Sequence, residues 1–230
     1  MRNIYALVLA GGVGSRIGGN TPKQFLELGG KPLFLHSLEV FRSWGLLKSL
    51  TLVSHKDWIL KIEEEAKDHL ESNDRIVPGG NTRHLSTLEG IRSIPWDEDD
   101  LIFIHDAARP FFTHEELDQL VGVCLNVGAA TLALGSSETV VHVKKGTGFT
   151  EKSVPREEVY FVKTPQVVYG KTLKELLELP LEKEESSHPT DLCSWLERAG
   201  KKTGIVDSSS KNIKITTPSD LLVAEKILKS

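Results

Sequence analysis

Short apolar runs alternate with amphipathic segments along most of this chain. Ile4–Ala10 is continuously apolar and ends at two glycines, a pattern typical of a buried parallel strand. Leu35, Leu38 and Phe41 recur at helical spacing and predict a helix over Leu33–Trp44. The same criteria predict further strands at 49–54, 75–77, 101–104, 129–134 and 212–216, and further helices at 58–70, 82–94, 171–179 and 190–199.

Capping residues mark the start of two more helices. Thr113, with Glu116 three residues later, forms a capping box, and Thr217 followed by Pro218 opens the last helix. This alternation of strands and helices predicts an α/β fold, a Rossmann-like, doubly wound and mostly parallel sheet with helices on both faces. Right-handed crossovers would then bring the carboxyl ends of the strands to one edge.

Residues 136–160 interrupt the alternation. Two β-prone stretches, 139–144 and 149–154, surround Lys145-Gly-Thr-Gly148 and predict a β-hairpin. The hairpin has too few large apolar residues to fold by itself. We interpret it as an arm protruding from the sheet, which packs on another surface such as a second subunit.

Composition narrows the class of protein. A net charge of −4 argues against general binding of nucleic acid. Cys124 and Cys193 are far apart in sequence, which argues against a zinc or redox motif, and two lone thiols fit a reducing compartment. No apolar run is long enough to span a membrane, and Ile4–Ala10 is too short for a signal peptide. We therefore expect a cytoplasmic protein without a nucleic-acid or membrane partner.

The loop after the first strand has the composition of a phosphate-binding loop. Gly11, Gly12 and Gly14 carry no side chain, so backbone N–H groups could approach a phosphate closely. Arg16 could contact phosphate oxygens through two N–H groups, and Lys23 adds a compact positive charge. A tight turn with two solvated cations would have the same composition.

Two common nucleotide motifs do not match this loop. No Gly-Lys-Ser/Thr follows, as a P-loop would require. The dinucleotide fingerprint lacks its further spaced glycine, and Pro22 falls where its helix should run.

Two more loops follow predicted strands. Gly79 and Gly80, with Asn81 and Ser86, could read the edge of a base, although a turn and a helix cap would look the same. Asp106 follows another strand, where a carboxylate could hold Mg²⁺ beside phosphates or form a structural ion pair with Arg109. All three loops are expected at the edge of the sheet where α/β folds bind ligands.

Five motifs lie in order along nearly the whole chain. They are Leu9-Ala-Gly-Gly-Val-Gly-Ser-Arg16, Pro22-Lys-Gln-Phe25, His105-Asp-Ala-Ala-Arg-Pro110, Thr164-Pro-Gln166 and Asn212-Ile-Lys214. Together they resemble the 2-C-methyl-D-erythritol 4-phosphate cytidylyltransferase family. The resemblance implies a single nucleotidyltransferase domain over 1–230, which uses Mg²⁺ to transfer the cytidylyl group of CTP to a polyol phosphate in isoprenoid precursor synthesis.

The resemblance also implies residue roles. Arg16 and Lys23 would stabilise the charge of the transition state, and Asp106 would lie near the metal and the ribose. Arg156 and Thr139, on the arm, would act in the partner's site of a homodimer. The sugar phosphate would contact Arg156, Lys214, Thr139, Thr164, Thr190 and Arg109, and the nucleotide would contact Ala10, Gly11, Gly12, Gly14, Gly80, Asn81, Ser86, Asp106 and Ala107.

Two positions depart from the family pattern. Lys211 stands where an acidic residue often precedes Asn-Ile-Lys, so a second carboxylate near the metal is in doubt. Lys163 stands before Thr164 where a neutral residue is more usual, and it is expected to add positive charge near the acceptor. His105 is expected to make a structural hydrogen bond, because an ionised phosphate needs no general base.

The acceptor has an alternative. Phe112-Thr-His114 and Asn212-Ile-Lys-Ile-Thr-Thr-Pro218 are similar to ribitol 5-phosphate cytidylyltransferases, whereas Ala107-Ala108 favours the methylerythritol branch. A non-catalytic nucleotide-binding module would be expected to lack Arg16, Lys23 or Asp106, and all three are present. The glycine pattern disfavours a nicotinamide dehydrogenase.

Overall fold

The computed structural model describes residues 2–12 and 22–229, with the backbone alone at Lys23. Seven helices are described: α1 (Leu33–Trp44), α2 (Ile59–Ala66), α3 (Arg83–Ser93), α4 (His114–Val127), α5 (Gly170–Leu177), α6 (Leu192–Arg198) and α7 (Pro218–Leu228). The described strands are β1 (Ile4–Ala10), β2 (Glu27–Leu28), β3 (Lys31–Pro32), β4 (Ser49–Ser54), β5 (Arg75–Pro78), β6 (Leu101–Asp106), β7 (Ala129–Gly135), β8 (Val140–Val143), β9 (Thr150–Val154), β10 (Tyr160–Tyr169) and β11 (Gly204–Asp207).

Seven strands form the central sheet in the order β11-β7-β10-β6-β1-β4-β5. β1 pairs in parallel with β4 and β6, β4 with β5, and β11 with β7, which confirms the mostly parallel sheet. β10 is antiparallel to both of its neighbours. The carboxyl ends of β1, β4, β5 and β6 therefore meet at one edge, and the expectation that every strand would end there is wrong for β10.

Both faces of the sheet are covered by helices. On one face, α1 and α4 contribute Phe34, Phe41 and Leu120 to a buried cluster with Phe103 of β6. On the other face, α3, α5 and α6 pack their apolar residues against Leu7 and Ile102. This arrangement confirms the doubly wound fold. Cys124 is fully buried in the first cluster, and burial raises the pKa of its thiol to about 12.

The carboxyl-terminal third contains the main errors of prediction. The segment 212–216 is not a strand; Ile215 is buried there, and its N–H donates to the Ala108 carbonyl at 2.8 Å. The strand beside β7 is β11 instead. β10 was missed because polar residues and Pro165 interrupt its apolar pattern. Its pairing register with β7 shifts between Lys163 and Gln166, around a proline that has no N–H to donate.

The predicted hairpin is present. β8 and β9 form a separate two-stranded antiparallel sheet, shorter by one or two residues than expected. All residues from Val141 to Ser153 are exposed, including Phe149 at 78%. We call residues 136–160 the arm. In residues 2–12 and 22–229, no helix has the length and apolar character needed to cross a membrane.

Candidate active site

A cavity of about 520 Å³ lies at the edge where four parallel strands end. Each strand contributes the residues that follow it: Gly11 and Gly12 after β1, His55 after β4, the loop from Gly79 after β5, and Ala107 after β6. At the two glycines of the loop after β5, neighbouring side chains leave no room for a Cβ. A Cβ at Gly79 would lie 2.6 Å from the Ser86 Oγ, and one at Gly80 would lie 2.4 Å from the Leu85 Cβ.

The structure brings most of the residues predicted to contact the nucleotide to this cavity. Two predicted residues, Arg16 and Gly14, lie outside the described residues. Lys23 begins a short 3₁₀ turn, Lys23–Phe25. The predicted residues that line the cavity are Ala10, Gly11, Gly12, Gly80, Asn81, Ser86, Asp106, Ala107 and Lys214.

Asp106 is held by two cations at the floor of the cavity. Arg83 donates from Nε to one carboxylate oxygen at 2.8 Å, and Lys214 donates from Nζ to the other at 2.7 Å. The Asp106 side chain is 13% exposed. Burial alone would raise the pKa of Asp106, but the charges and hydrogen bonds of Arg83 and Lys214 outweigh it and hold the pKa well below its usual value. The carboxylate is therefore ionised throughout the physiological range.

Arg109 does not form the ion pair with Asp106 that was expected. Its Nη1 donates to the Asn212 carbonyl at 3.2 Å instead. Lys163 donates from Nζ to the same carbonyl at 2.9 Å and is 7% exposed. The Lys163 ammonium group is thus bonded to a backbone carbonyl, and the prediction that it adds positive charge near the acceptor stays a prediction. These two cations anchor the segment that carries Lys214 to the end of the sheet.

His105 lies beneath Asp106 and is fully buried. Its ring nitrogens lie 3.2 Å from the Ser37 Oγ and 3.1 Å from the Thr164 Oγ1. The Thr164 hydroxyl also accepts from the Asp106 N–H at 3.0 Å. The predicted structural hydrogen bond of His105 is confirmed. Burial lowers the pKa of His105 to about 3, so the ring is neutral and unsuited to proton transfer near neutral pH.

The loop after β5 combines a helix cap with one exposed polar side chain, that of Asn81. Thr82 caps α3, because its hydroxyl accepts from the Leu85 N–H at 3.1 Å. Ser86 donates to the carbonyls of Thr82 and Gly80 at 2.9 and 3.1 Å. Asn81 is exposed beside the cavity and donates to Glu185 at 3.0 Å. The loop is thus a turn and a cap, and it also lines the cavity.

The residues predicted to contact the sugar phosphate are dispersed. Lys214 lines the cavity, whereas Thr164 is 4% exposed with its hydroxyl engaged below Asp106. Thr139 and Arg156 are exposed at the two ends of the arm, and Thr190 is exposed just before α6. Within the described part of the chain, none of these three lines the cavity. Their roles stay predictions.

Two residues of the site received no role from the sequence. Arg83 begins α3 just after the loop that follows β5, and only the structure reveals that it binds Asp106, 23 positions away. Gln24 follows Lys23 in the second motif and lines the cavity. No signal in the sequence identified either residue, because their place in the cavity depends on how distant parts of the chain pack together.

The one carboxylate among the described residues of the cavity, that of Asp106, fits a metal ion whose other ligands come mainly from the substrate. In residues 2–12 and 22–229, no group of three His, Cys, Asp or Glu side chains could hold a metal ion. Asp106 is the carboxylate among the described lining residues, and each of its oxygens keeps a further acceptor position beside its cation. Mg²⁺ commonly binds through one carboxylate together with substrate phosphates. A single ligand from Asp106 is compatible with that mode.

Comparison with known proteins assigns the family. A sequence model of the family 2-C-methyl-D-erythritol 4-phosphate cytidylyltransferase (IspD) matches residues 4–230. A relative of that name from Leptospira interrogans is 48% identical over 222 residues, which cover 96% of this chain and 91% of the relative. Another, from Halalkalibacterium halodurans, is 35% identical over 226 residues, covering 97% and 96%.

Solved structures agree with this assignment. The crystal structure of the Francisella tularensis protein of the same name is 28% identical with a TM-score of 0.79, and the match covers 97% of this chain and 99% of that one. A 4-diphosphocytidyl-2C-methyl-D-erythritol synthase from Anaerococcus prevotii is 25% identical with a TM-score of 0.80, covering 100% and 97%. The match therefore extends over the sheet, the arm and the cavity, and the chain belongs to the 2-C-methyl-D-erythritol 4-phosphate cytidylyltransferase family.

Proposed function

We propose that the cavity binds CTP and that its cytidylyl group passes from there to 2-C-methyl-D-erythritol 4-phosphate, with release of pyrophosphate. One observation carries the proposal: the glycine-rich loop after β1, the loop after β5 and Asp106 after β6 all line one cavity. Family membership supports methylerythritol phosphate over ribitol 5-phosphate as the acceptor, as do the names of the relatives described above.

The reaction joins two anions, so charge is its central difficulty. A phosphate oxygen of the acceptor attacks the α-phosphorus of CTP, a new P–O–P bond forms, and the bond to the β-phosphate oxygen breaks. Positioning and neutralisation of charge dominate such transfers. We assign Arg16 and Lys23 to the donor phosphates, and Lys214 and Arg156 to the acceptor phosphate. The acceptor is already ionised, so the neutral His105 needs no part in the chemistry.

Asp106 has two tasks in this proposal. It keeps Arg83 and Lys214 in place, and it supplies one oxygen ligand to Mg²⁺ at the donor phosphates. When bound, the metal ion would add positive charge beside the triphosphate. The positive charge of Lys214 beside the carboxylate keeps the local balance near neutral, and the anionic substrates can then enter without a like-charge barrier.

The exposed apolar residues of the arm are evidence for a homodimer. They continue onto the start of β10, where Tyr160 and Phe161 are 43% and 53% exposed. Isolated two-stranded hairpins are marginally stable in water, so this surface needs cover. We propose that a second copy of the chain covers it and that Arg156 and Thr139 thereby reach the partner's cavity.

The compartment and the remaining partners are also proposals. Cys124 and Cys193 are free thiols, which supports a reducing compartment, and we place the enzyme in the cytoplasm. The net charge of −4 supports small anionic substrates rather than nucleic acid as partners. Cell fractionation with an antibody to the protein would test the location; recovery with secreted proteins would contradict it.

The acceptor is tested by release of pyrophosphate. Purified protein with CTP and Mg²⁺ is expected to release pyrophosphate with 2-C-methyl-D-erythritol 4-phosphate and not with ribitol 5-phosphate. Omission of Mg²⁺, with a chelator present, should abolish the release. Turnover with ribitol 5-phosphate alone would overturn the proposed acceptor, and turnover unchanged by the chelator would overturn the metal.

The swapped arm is tested by complementation. Lys23→Ala and Arg156→Ala chains are each expected to be impaired as homodimers. A heterodimer of the two would contain one site with both substitutions and one with neither, if the arm crosses to the partner. Random mixing should then restore roughly a quarter of wild-type activity, because half of the dimers are mixed and each has one intact site. No recovery in verified heterodimers would contradict the crossing.

A further inference from the structure

Gln24 is a buried amide whose hydrogen-bonding groups have no partner in the described part of the chain. The residue is 3% exposed, and neither its Nε2 nor its Oε1 has a hydrogen-bond partner in residues 2–12 and 22–229. It nevertheless lines the cavity beside Ala10 and Gly11. Buried polar side chains are nearly always paired, so an unpaired donor and acceptor in one cavity wall need an explanation.

The backbone around Gln24 is fixed by its neighbour. The Phe25 ring is 6% exposed and lies 6.0 Å from the Phe34 ring and 5.6 Å from the Trp58 ring. The Phe25 N–H donates to the Pro22 carbonyl at 3.0 Å. Phe25 therefore anchors the short turn that carries Gln24, and the amide is held at the cavity wall.

A second buried glutamine provides the contrast. Gln166 is fully buried, and its amide is paired on both sides. Its Nε2 donates to the Thr131 Oγ1 at 3.1 Å, and its Oε1 accepts from the Leu192 N–H at 3.1 Å. Gln166 thus joins three elements of the fold, whereas the amide of Gln24 joins none of the described ones.

We propose that Gln24 is a nucleotide-binding residue, whose amide donates to and accepts from CTP when the nucleotide fills the cavity. A nucleotide offers both kinds of partner, because phosphate oxygens accept hydrogen bonds whereas ribose hydroxyls and the cytosine amino group donate them. Without nucleotide, the Gln24 amide has no hydrogen-bond partner among the described residues. This inference rests on the proposed function, since it takes the cavity to be the CTP site.

Replacement of Gln24 by leucine separates binding from stability. Leucine has a similar size and no polar atoms, so Gln24→Leu removes two unpaired groups from the free protein. Its melting temperature without nucleotide is expected to rise by about 2–4 °C. Its affinity for CTP with Mg²⁺, measured by titration calorimetry, should fall roughly 10- to 100-fold. The KM for CTP should rise, and the KM for methylerythritol phosphate should stay the same.

Gln166→Leu is the matched control. The same change in a paired amide leaves the buried Leu192 N–H without its acceptor, and the Thr131 hydroxyl oxygen without the donor on Gln166, so its melting temperature should fall. If Gln24→Leu also lowers the melting temperature while CTP binds as tightly as to wild type, the amide is structural and the inference is overturned.

Gln24→Glu is a second test of the inference, for use if Gln24→Leu does not fold. A carboxylate of the same shape keeps acceptors but loses the donor, and it repels the triphosphate, so affinity for CTP should fall at least tenfold. Binding as tight as that of wild type would overturn the inference. Failure of the wild-type protein itself to bind CTP would instead overturn the proposed function, so the two failures are distinguishable.

Discussion

The cavity edge and the arm contain the two halves of the proposed active site, and they differ in how they are held. Asp106 at the cavity is 13% exposed and bonded to cations from two distant parts of the chain. Phe149 on the arm is 78% exposed, and the arm forms a sheet of its own. One half is organised within a single chain. The other presents exposed polar and apolar groups on a hairpin outside the central sheet.

The largest effect is expected from the cations of the first loop. Lys23→Ala and Arg16→Ala should each lower kcat by roughly 100-fold or more, because they remove charge that offsets the developing negative charge. Steady-state kinetics with CTP and methylerythritol phosphate would measure this. Lys171→Ala, at an exposed position of α5, serves as the control and should retain full activity. Wild-type turnover in either loop variant would contradict the assignment.

Removal of the Asp106 charge tests how far the cavity edge depends on its own ion pairs. Asp106→Asn keeps the shape but leaves Arg83 and Lys214 without their counter-charge. The free energy of unfolding should fall by about 2 kcal/mol, less than for a fully buried pair because Lys214 is partly exposed. Urea unfolding would measure it. Asp207→Asn, at an exposed position of β11, is the control and should change little. Equal stability in both variants would show that the cluster does not stabilise the edge.

Substitution of an exposed residue on the arm should weaken the dimer and leave the stability of the single chain unchanged. Phe149→Ser should leave the fold and the melting temperature of the monomer unchanged, because the ring is exposed within one chain. If a partner covers the ring, the dissociation constant of the dimer should rise roughly 10- to 100-fold, as expected for loss of one buried aromatic side chain. Analytical ultracentrifugation would measure it. Leu60→Ser, 80% exposed on α2, is the matched control; equal effects of the two changes would contradict a specific role of the arm.

A difference between local and long-range interactions explains which elements the sequence could predict. Periodicity identified β1, β4 and α1 because burial alone sets each pattern: the two strands are apolar and buried along most of their length, and α1 buries its apolar residues in the core. It also identified the hairpin, because the local turn between its strands determines the pairing. β10 was not predicted, because its formation depends on pairing with β6 and β7 rather than on a pattern in its own sequence.

The site shows the same limit at the level of single residues. The glycines of the loops after β1 and β5 were recognisable, because close approach of a backbone to a ligand needs residues without side chains. An ion pair of Asp106 with nearby Arg109 was one alternative from the sequence, but the structure pairs Asp106 with Arg83 and Lys214. Which of several cations reaches a carboxylate depends on how distant segments pack, and a sequence pattern does not contain that information.

The smallest effect, taken per pH unit, concerns two histidines, one in each region. Burial lowers the pKa of His105 to about 3, from an ordinary value of 6.5, whereas His142 on β8 is exposed. Between about pH 6.5 and pH 3 the unfolded chain therefore binds a proton at His105 that the folded chain does not. The free energy of unfolding should fall in that window as the pH drops, by up to about 1.4 kcal/mol per pH unit from this residue. His84, with a pKa lowered to about 4 by burial, adds a similar slope.

Replacement of each histidine isolates its contribution. His105→Asn should be less stable at neutral pH, since it leaves a small void, but its stability should decline less steeply from pH 6.5 downward. His142→Asn, at an exposed position of β8, leaves His105 in place and serves as the control for the substitution itself. Urea unfolding at several pH values would compare the slopes. If His105→Asn keeps the full wild-type slope, the ring takes up a proton in the folded state, and the cavity floor is more open to water than its burial implies.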